Sequence, residues 1–327
     1  MLAPHRAGGC DKVRGMFHQA NRRNFLKTAA AVTASATSFA GTRDSETLVT
    51  TLWDSLSEEQ RSKVCFDFDH ELRGKCNANW MITPQKIGAF YSKDQQAMIG
   101  EIFRNLHSPE FAPSVMRHIQ EDGGGIGNYS IALFGKPRSK FEFVLTGRHC
   151  TMRCDGDSLE GAAFGGPIMY GHQSGAADME PADHANNVYW FQAKRANEVF
   201  AALSGKQREM ALLKTAPRAE AGARPVEFKS AGEFAGLPGS EMSADQLQLV
   251  EKALASLIHP FRKRDADEAM RYIKAQGGAK SLSMSFYKNM DIGADGVWDV
   301  WQLESANMVW YFRGYPHVHT YVNIRKS

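Results

Sequence analysis

The chain has 327 residues, 43% of them apolar, enough for one large domain or two modest ones with a packed core. Formal net charge is +3, but residues 1–40 carry six of the 39 basic residues and one of the 36 acids, leaving 33 basic against 35 acidic residues, a net of −2. A slightly acidic body has no electrostatic reason to seek nucleic acid or anionic lipid, and no later apolar run reaches the ~20 residues of a membrane span.

The basic N-terminus has its own explanation. In "NRRNFLKTAAAVTASATSFA", Arg22-Arg23 precede Phe25-Leu26-Lys27, and a mild Ala-rich run ends at a small-residue cleavage pattern, Ala34-Ser35-Ala36 or Ser38-Phe39-Ala40. Residues 1–40 therefore read as a twin-arginine signal, with Met16 as an alternative start. The expectation is passage through the twin-arginine translocase to the periplasm or the exterior. That route carries folded proteins, many already loaded with a cofactor. Cleavage would leave Cys65, Cys76, Cys150 and Cys154, which allow three pairings. Cys150 and Cys154 read as one strand, ~13 Å end to end, so a direct bond between them needs a bend. The cysteine spacing disfavours a four-thiolate zinc site, since Cys65 and Cys76 are not a close pair.

Along the body two stretches read alike. "YSKDQQAMIGEIFRNLHSPEFAPSVMRHIQEDGG" starts at Tyr91 and "MSADQLQLVEKALASLIHPFRKRDADEAMRYIKAQGG" at Met242. Upstream, "LSEEQR" at Leu56 matches "LSGKQR" at Leu203; downstream, "FEFVL" ending at Leu145 parallels "DVWQL" ending at Leu303. Ordered agreement at four anchors predicts two tandem related units, 44–190 and 194–327. Each opens with a helix after a Ser N-cap (Ser57 with Gln60, Ser204 with Gln207), then helices opened by Ser92 or Ser243 that end at a Gly-Gly stop. Strands follow: "NYSIALF" and "KFEFVLTG", then "KSLSMSFY", "VWDVWQLE" and "NMVWYFRG". Helices followed by antiparallel strands predict an α+β fold, the two units packed into one compact body.

The closing "GYPHVHTYVNI" alternates with a period of two. Val318, Thr320, Val322 and Ile324 read as core; His317, His319, Tyr321, Asn323 and Arg325 share the other face, a wet surface or a cleft wall. On a strand, residues two apart point the same way, ~6.6 Å apart, so two imidazoles can reach one ion. A site needs a third ligand, for which His149 in "TGRHCTMRC", His172 in "MYGHQSG" and His184 in "PADHANN" are candidates. Pro316 also suits an edge strand, where the pair would be solvated, and residue physics alone slightly favours that reading. Alternation sets His149, Thr151 and Arg153 against Arg148, Cys150, Met152 and Cys154. Arg148 or Arg153 beside a histidine could clamp an anion, or simply form a basic strand edge.

Other motifs fail. "GAAFGGPIMYGHQSGAAD" is a glycine-rich loop without the Gly-Lys-Ser/Thr of a phosphate loop, and "GGGIG" at 123–127 sits between helix and strand in the wrong order for a dinucleotide fingerprint. "FDFDHELRG" reads as a helix surface rather than a calcium loop. Trp298, Trp301 and Trp310 read as core; an exposed subset would favour a sugar platform.

The segments "ELRGKCNANW", "YSKDQQAMIGEIFRNL", "FVLTGRHC", "FGGPIMYGH", "ALSGKQREMA" and "WYFRGYPHVHTYVNI", taken in order, resemble the domain of unknown function 3500 family. In that family Gly-His-His usually stands where this chain has Gly147-Arg148-His149, and the final His-x-His is usually followed by Arg-Asp, here Asn323-Ile324. The resemblance supports the segment order and picks out His149, His317 and His319. It implies no activity.

These readings predict an exported metal-dependent enzyme, a hydrolase or oxidoreductase. His317 and His319, with His149 or His172, would hold one divalent ion (Zn, Fe, Mn or Cu), and Arg148, Arg313 and Tyr321 would bind a small-molecule or glycan substrate. The three-histidine version requires His149 within ~10 Å of His317, since metal–nitrogen bonds are ~2 Å. The competing reading is a non-catalytic exported binding protein for carbohydrate or a cell-envelope ligand, with a Trp- and Tyr-lined groove. A purely structural envelope protein would have neither.

Overall fold

The computed structural model describes residues 44–173, 188–216, 226–230, 232–291 and 296–327, all within one compact unit spanning 43–327. The export signal expected over 1–40 lies outside the described residues, as does His184.

The helices begin where local hydrogen bonding says they should. Four of them are opened by reciprocal Ser–Gln capping boxes: Ser57–Gln60, Ser92–Gln95, Ser204–Gln207 and Ser243–Gln246. Each box satisfies two backbone N–H groups that a helix start would otherwise orphan. In chain order, α1 (Ser45–Ser55) and α2 (Glu58–Val64) lead into β1 (Cys65–Phe66); α3 (Ile87–Phe90), α4 (Lys93–Asn105) and α5 (Ala112–Gly123) lead into β2 (Ser130–Gly135), β3 (Phe141–Gly147), β4 (Cys150–Cys154) and β5 (Ile168–His172). The chain continues with α6 (Trp190–Ala201), α7 (Gly205–Ala211), β6 (Leu212–Leu213), β7 (Leu237–Pro238), α8 (Ala244–Ile258) and α9 (Lys263–Ala275). It closes with β8 (Ser283–Tyr287), β9 (Val300–Ser305), β10 (Met308–Arg313) and β11 (Val318–Ile324). The Gly-Gly stops work as expected: Gly124 (φ 69) caps α5 and Gly277 (φ 109) follows α9.

The fold is α+β, built on one mostly antiparallel sheet in the order β1-β2-β3-β4-β5-β11-β10-β9-β8-β6, with β7 beside β8. The short outer strands β1 and β6 pair in parallel with β2 and β8. In the middle, β11 lies between β5 and β10, pairing Val318 with His172 and Arg313 with His319. Pro316 therefore does not lead into an edge strand, so the placement that suggested a solvated histidine pair is not the one observed. Gly171 allows the close approach of β5 and β11, since a Cβ there would stand 2.2 Å from the Val318 carbonyl oxygen.

Helices cover one sheet face, where Leu145, Cys150, Met152, Tyr170, Trp301, Trp310, Val318 and Val322 join the main core. The other face is not open to water. Ile82, Cys76 and Ala78 from residues 65–86, with Val226, cover Phe134, Val144, Tyr311 and Tyr321. Hence the half of β11 that alternation leaves for a wet face is buried at Tyr321 and only half-buried at His319 and Asn323. Trp301 and Trp310 are fully buried, so neither is a sugar platform.

The buried charges of one cluster on this second face are paired, as burial demands. Arg153 and Arg73 both reach Glu142, at 2.5 and 3.0 Å. Arg153 also donates to the carbonyls of Pro167, Arg73 and Lys75. Its guanidinium is thus consumed by structure, and the anion-clamp reading fails for this arginine. The "FDFDHELRG" stretch is a turn ending in a 3-10 helix at Glu71–Gly74. The four described cysteines are free thiols.

One buried histidine predicts an acid sensitivity. His107 lies at the end of α4 with Nδ1 2.9 Å from the Phe103 carbonyl oxygen. Burial pushes its imidazole down to about 4, against a lift from that carbonyl. Because this lies below the ordinary 6.5, the unfolded chain takes up the proton first as pH falls. The stability involved is whole above pH 6.5 and is lost as pH falls through about 4; it is about 3 kcal/mol at ~1.4 per pH unit. Urea midpoints should drop across that window, and His107→Gln should flatten the slope. An unchanged slope in the variant would refute the assignment.

Candidate metal centre

The site is assembled where two turns meet at one end of the sheet. Register pairs Gly147 with Cys150, so Arg148 and His149 form the two-residue turn between β3 and β4. Gly147 is required there: a Cβ would stand 2.1 Å from the Tyr129 ring, whose hydroxyl donates to the Arg148 carbonyl at 2.7 Å. His149 takes a left-handed backbone conformation (φ 52), which costs a non-glycine residue about 1–2 kcal/mol and is held by its surroundings. The other turn joins β10 to β11 through a cis Tyr315–Pro316 peptide and places His317 just before β11 and His319 within it.

Three imidazoles converge. His149 Nε2 lies 3.0 Å from His317 Nε2, which lies 2.9 Å from His319 Nε2. A ligand atom from each falls within 4.8 Å of the others. Two ~2.0 Å bonds at a tetrahedral angle subtend ~3.3 Å, only a few tenths more than these separations. His317 Nε2 carries at most one proton, which can bridge one of its two contacts. A cation at the centre would use the lone pairs of all three rings. His317 Nδ1 is buried without a hydrogen-bond partner among the described residues. Burial, then the neighbouring His319, His149 and Arg313, push the His317 imidazole down to about 3, so it is neutral and ligand-ready near pH 7.

A carboxylate orients the first ring. Asp122, in the last turn of α5, faces His149 Nδ1 through Oδ2 and accepts from Arg148 Nε at 2.9 Å through Oδ1. Burial would raise this acid, but the bond to His149, its charge and Arg148 hold it down at about 2. An ionised Asp122 fixes a proton on His149 Nδ1 and leaves Nε2 as the donor atom toward a metal. Asp122 was not among the residues singled out from sequence. Its signal was there: on α5 the buried stripe Val115, His118, Ile119 recurs at residue 122, where a lone carboxylate faces inward.

The remaining candidates are sorted by the same geometry. His172 lies on the helix face of β5 and meets His118, one turn before Asp122, at 2.5 Å between Nδ1 atoms. It is thus outside the converging trio. Burial first, then His172, push His118 down to about 3. Arg148 has a side chain 39% exposed and also donates to Gln173. Arg313 is buried directly across from His319 and donates to the Tyr315 carbonyl at 3.0 Å. Tyr321 is fully buried behind His319, ring centroids 6.4 Å apart.

A family model described as a protein of unknown function (DUF3500) matches residues 40–296. The chain belongs to the DUF3500 family. No curated protein and no solved structure matches it. In this DUF3500 chain the matched span holds Asp122 and His149, while His317, just before β11, and His319, within it, lie beyond the span.

The Asp122 arrangement makes a prediction. Asp122→Asn should weaken divalent-ion affinity by ~10–100-fold, because the His149 tautomer and orientation are no longer imposed. Competition with a zinc-responsive chelator checks it; unchanged affinity would remove Asp122 from the metal site.

Proposed function

We propose that this chain is an exported metal-dependent enzyme whose ion is held by His149, His317 and His319. The observation that carries the reading is the convergence of three Nε2 atoms, one of them backed by a buried carboxylate. Three protein ligands leave at least one coordination position for water or substrate, as in catalytic rather than structural zinc sites. Imidazole donors suit zinc, copper or iron better than manganese. A divalent ion there would supply Lewis acidity and a water of lowered pKa, or a redox centre for an oxidoreductase. The chain's own residues supply the rest. Asp122 keeps His149 oriented, and Arg148 and Arg313 place positive charge beside the trio, which favours an anionic substrate group. Export through the twin-arginine route is part of the proposal, supported by Arg22-Arg23 and the Ala-rich run after them. No helix among the described residues is long and apolar enough to cross a membrane.

A tandem repeat of 44–190 and 194–327 is proposed alongside. Its support is the paired capping boxes, the matching amide contacts Gln60–Gln95 (2.9 Å) and Gln207–Gln246 (3.0 Å), and the parallel outer strands β1 and β6.

The test is elemental analysis of protein purified after native export. Chelator-treated and metal-restored samples are then compared on chromogenic phosphate and carboxylate esters and for dioxygen uptake. Bound metal with metal-dependent turnover is expected. Metal without turnover on any of these would favour a metal-binding protein, and no metal would overturn the reading.

A further inference from the structure

A second feature, independent of the histidine trio, lies at the opposite end of the first strands. A surface cavity of about 610 Å³ is lined by Trp53, Arg61, Phe66, Asp67, His70 and Lys136. Gly135, also on its wall, pairs with Phe141 at the start of β3, six residues before Gly147. At ~3.3 Å per residue that places the cavity ~20 Å from the turn carrying His149. The volume falls within the ~300–1,000 Å³ typical of small-ligand sites.

The wall carries two cations, Arg61 and Lys136, against one exposed acid, Asp67, a net of +1. Arg61 packs its guanidinium over Trp53 at 4.3 Å and donates through Nη2 to the Trp53 and Asp54 carbonyls, at 3.1 and 3.4 Å. Those bonds cap the C-terminus of α1 and hold the side chain still, while Nη1 makes no hydrogen bond among the described residues. Arg208 caps α6 in the same way, but turns both Nε and Nη2 onto the Phe200 and Ala201 carbonyls. Both arginines leave Nη1 without a hydrogen bond among the described residues, and Arg61 also lines this cavity. His70 Nδ1 accepts from the Leu72 amide, so in the neutral ring the proton sits on Nε2. Lys136 is exposed and forms no ion pair with a described acid. Cys65 adds no negative charge, since burial pushes its thiol up to about 11. Trp53 and Phe66, both half-buried, supply apolar surface.

We propose that this cavity binds a small organic carboxylate, its head on Arg61 Nη1, Lys136 and His70 and its apolar body against Trp53 and Phe66. A pre-positioned guanidinium loses little entropy on binding, and charge-assisted bonds to a carboxylate outweigh neutral ones. The probes are 3-phenylpropionate and its neutral isostere 3-phenylpropanamide, titrated calorimetrically into the whole chain. The acid should bind saturably and the amide at least ~10-fold more weakly, about the value of one charge-assisted bond. Lys136→Gln, an exposed change that leaves the fold intact, should weaken the acid ~10-fold, and Arg61→Gln at least as much. His317→Ala/His319→Ala should bind the acid as the parent does, so this proposal and the metal reading fail separately. Absent binding, equal affinity for acid and amide, or an unaltered Lys136→Gln variant would each overturn it.

Discussion

His317→Ala/His319→Ala should lose tight divalent-metal binding, with affinity lower by about 10⁴-fold. The figure follows from four-ligand zinc sites, where ~10–16 kcal/mol spread over the ligands is about 3 kcal/mol, or ~100-fold, for each. His317 is central, its Nε2 within 3.0 Å of both other rings, so the single His317→Ala change should account for at least half of the loss on a logarithmic scale. The His172→Asn variant is the informative control. Its ring meets His118 on the helix face of β5 and lies outside the trio, so metal affinity should stay within a few-fold of the parent. Equilibrium competition with a chelator of known affinity, with circular dichroism to confirm folding, reads all three. Retained tight binding in the double variant, or a large loss in His172→Asn, would place the ion elsewhere.

The largest stability effect should come from a residue far from that centre. Glu142 is fully buried and shared by Arg153, also buried, and Arg73. Removing the acid leaves the Arg153 charge in a low-dielectric interior with no carboxylate opposite, which typically costs about 3–5 kcal/mol. Glu142→Ala should therefore lower the urea midpoint by that much with little change in slope. Arg73 has a side chain 18% exposed, and water can solvate what its loss leaves behind. Arg73→Ala should accordingly cost only about 1–2 kcal/mol. Equal losses for the two variants would contradict an account based on desolvation. If Arg153→Ala left stability intact but altered ligand affinity, this guanidinium would have to be moved from the frame to the site.

What the sequence settled by itself is local. Ser92 and Gln95 close a capping box three residues apart, Gly124 and Gly277 supply left-handed stops, and alternation sorts Thr151 from Cys150 on β4. These are interactions between residues up to four apart, and their chemistry can be read in order along the chain. His149, His317 and His319 could likewise be picked out as histidines at strand ends. That they form one group depends on a contact spanning 168 residues, made by strand order rather than by any local preference. The same strand order put β11 inside the sheet, where Pro316 had suggested an edge, and buried Tyr321 under loops that alternation cannot foresee. It also separated Arg153, locked onto Glu142, from Arg148, which lies beside Asp122 at the site. Two arginines five residues apart differ in role because only tertiary packing decides which charges must find a buried partner and which keep access to water.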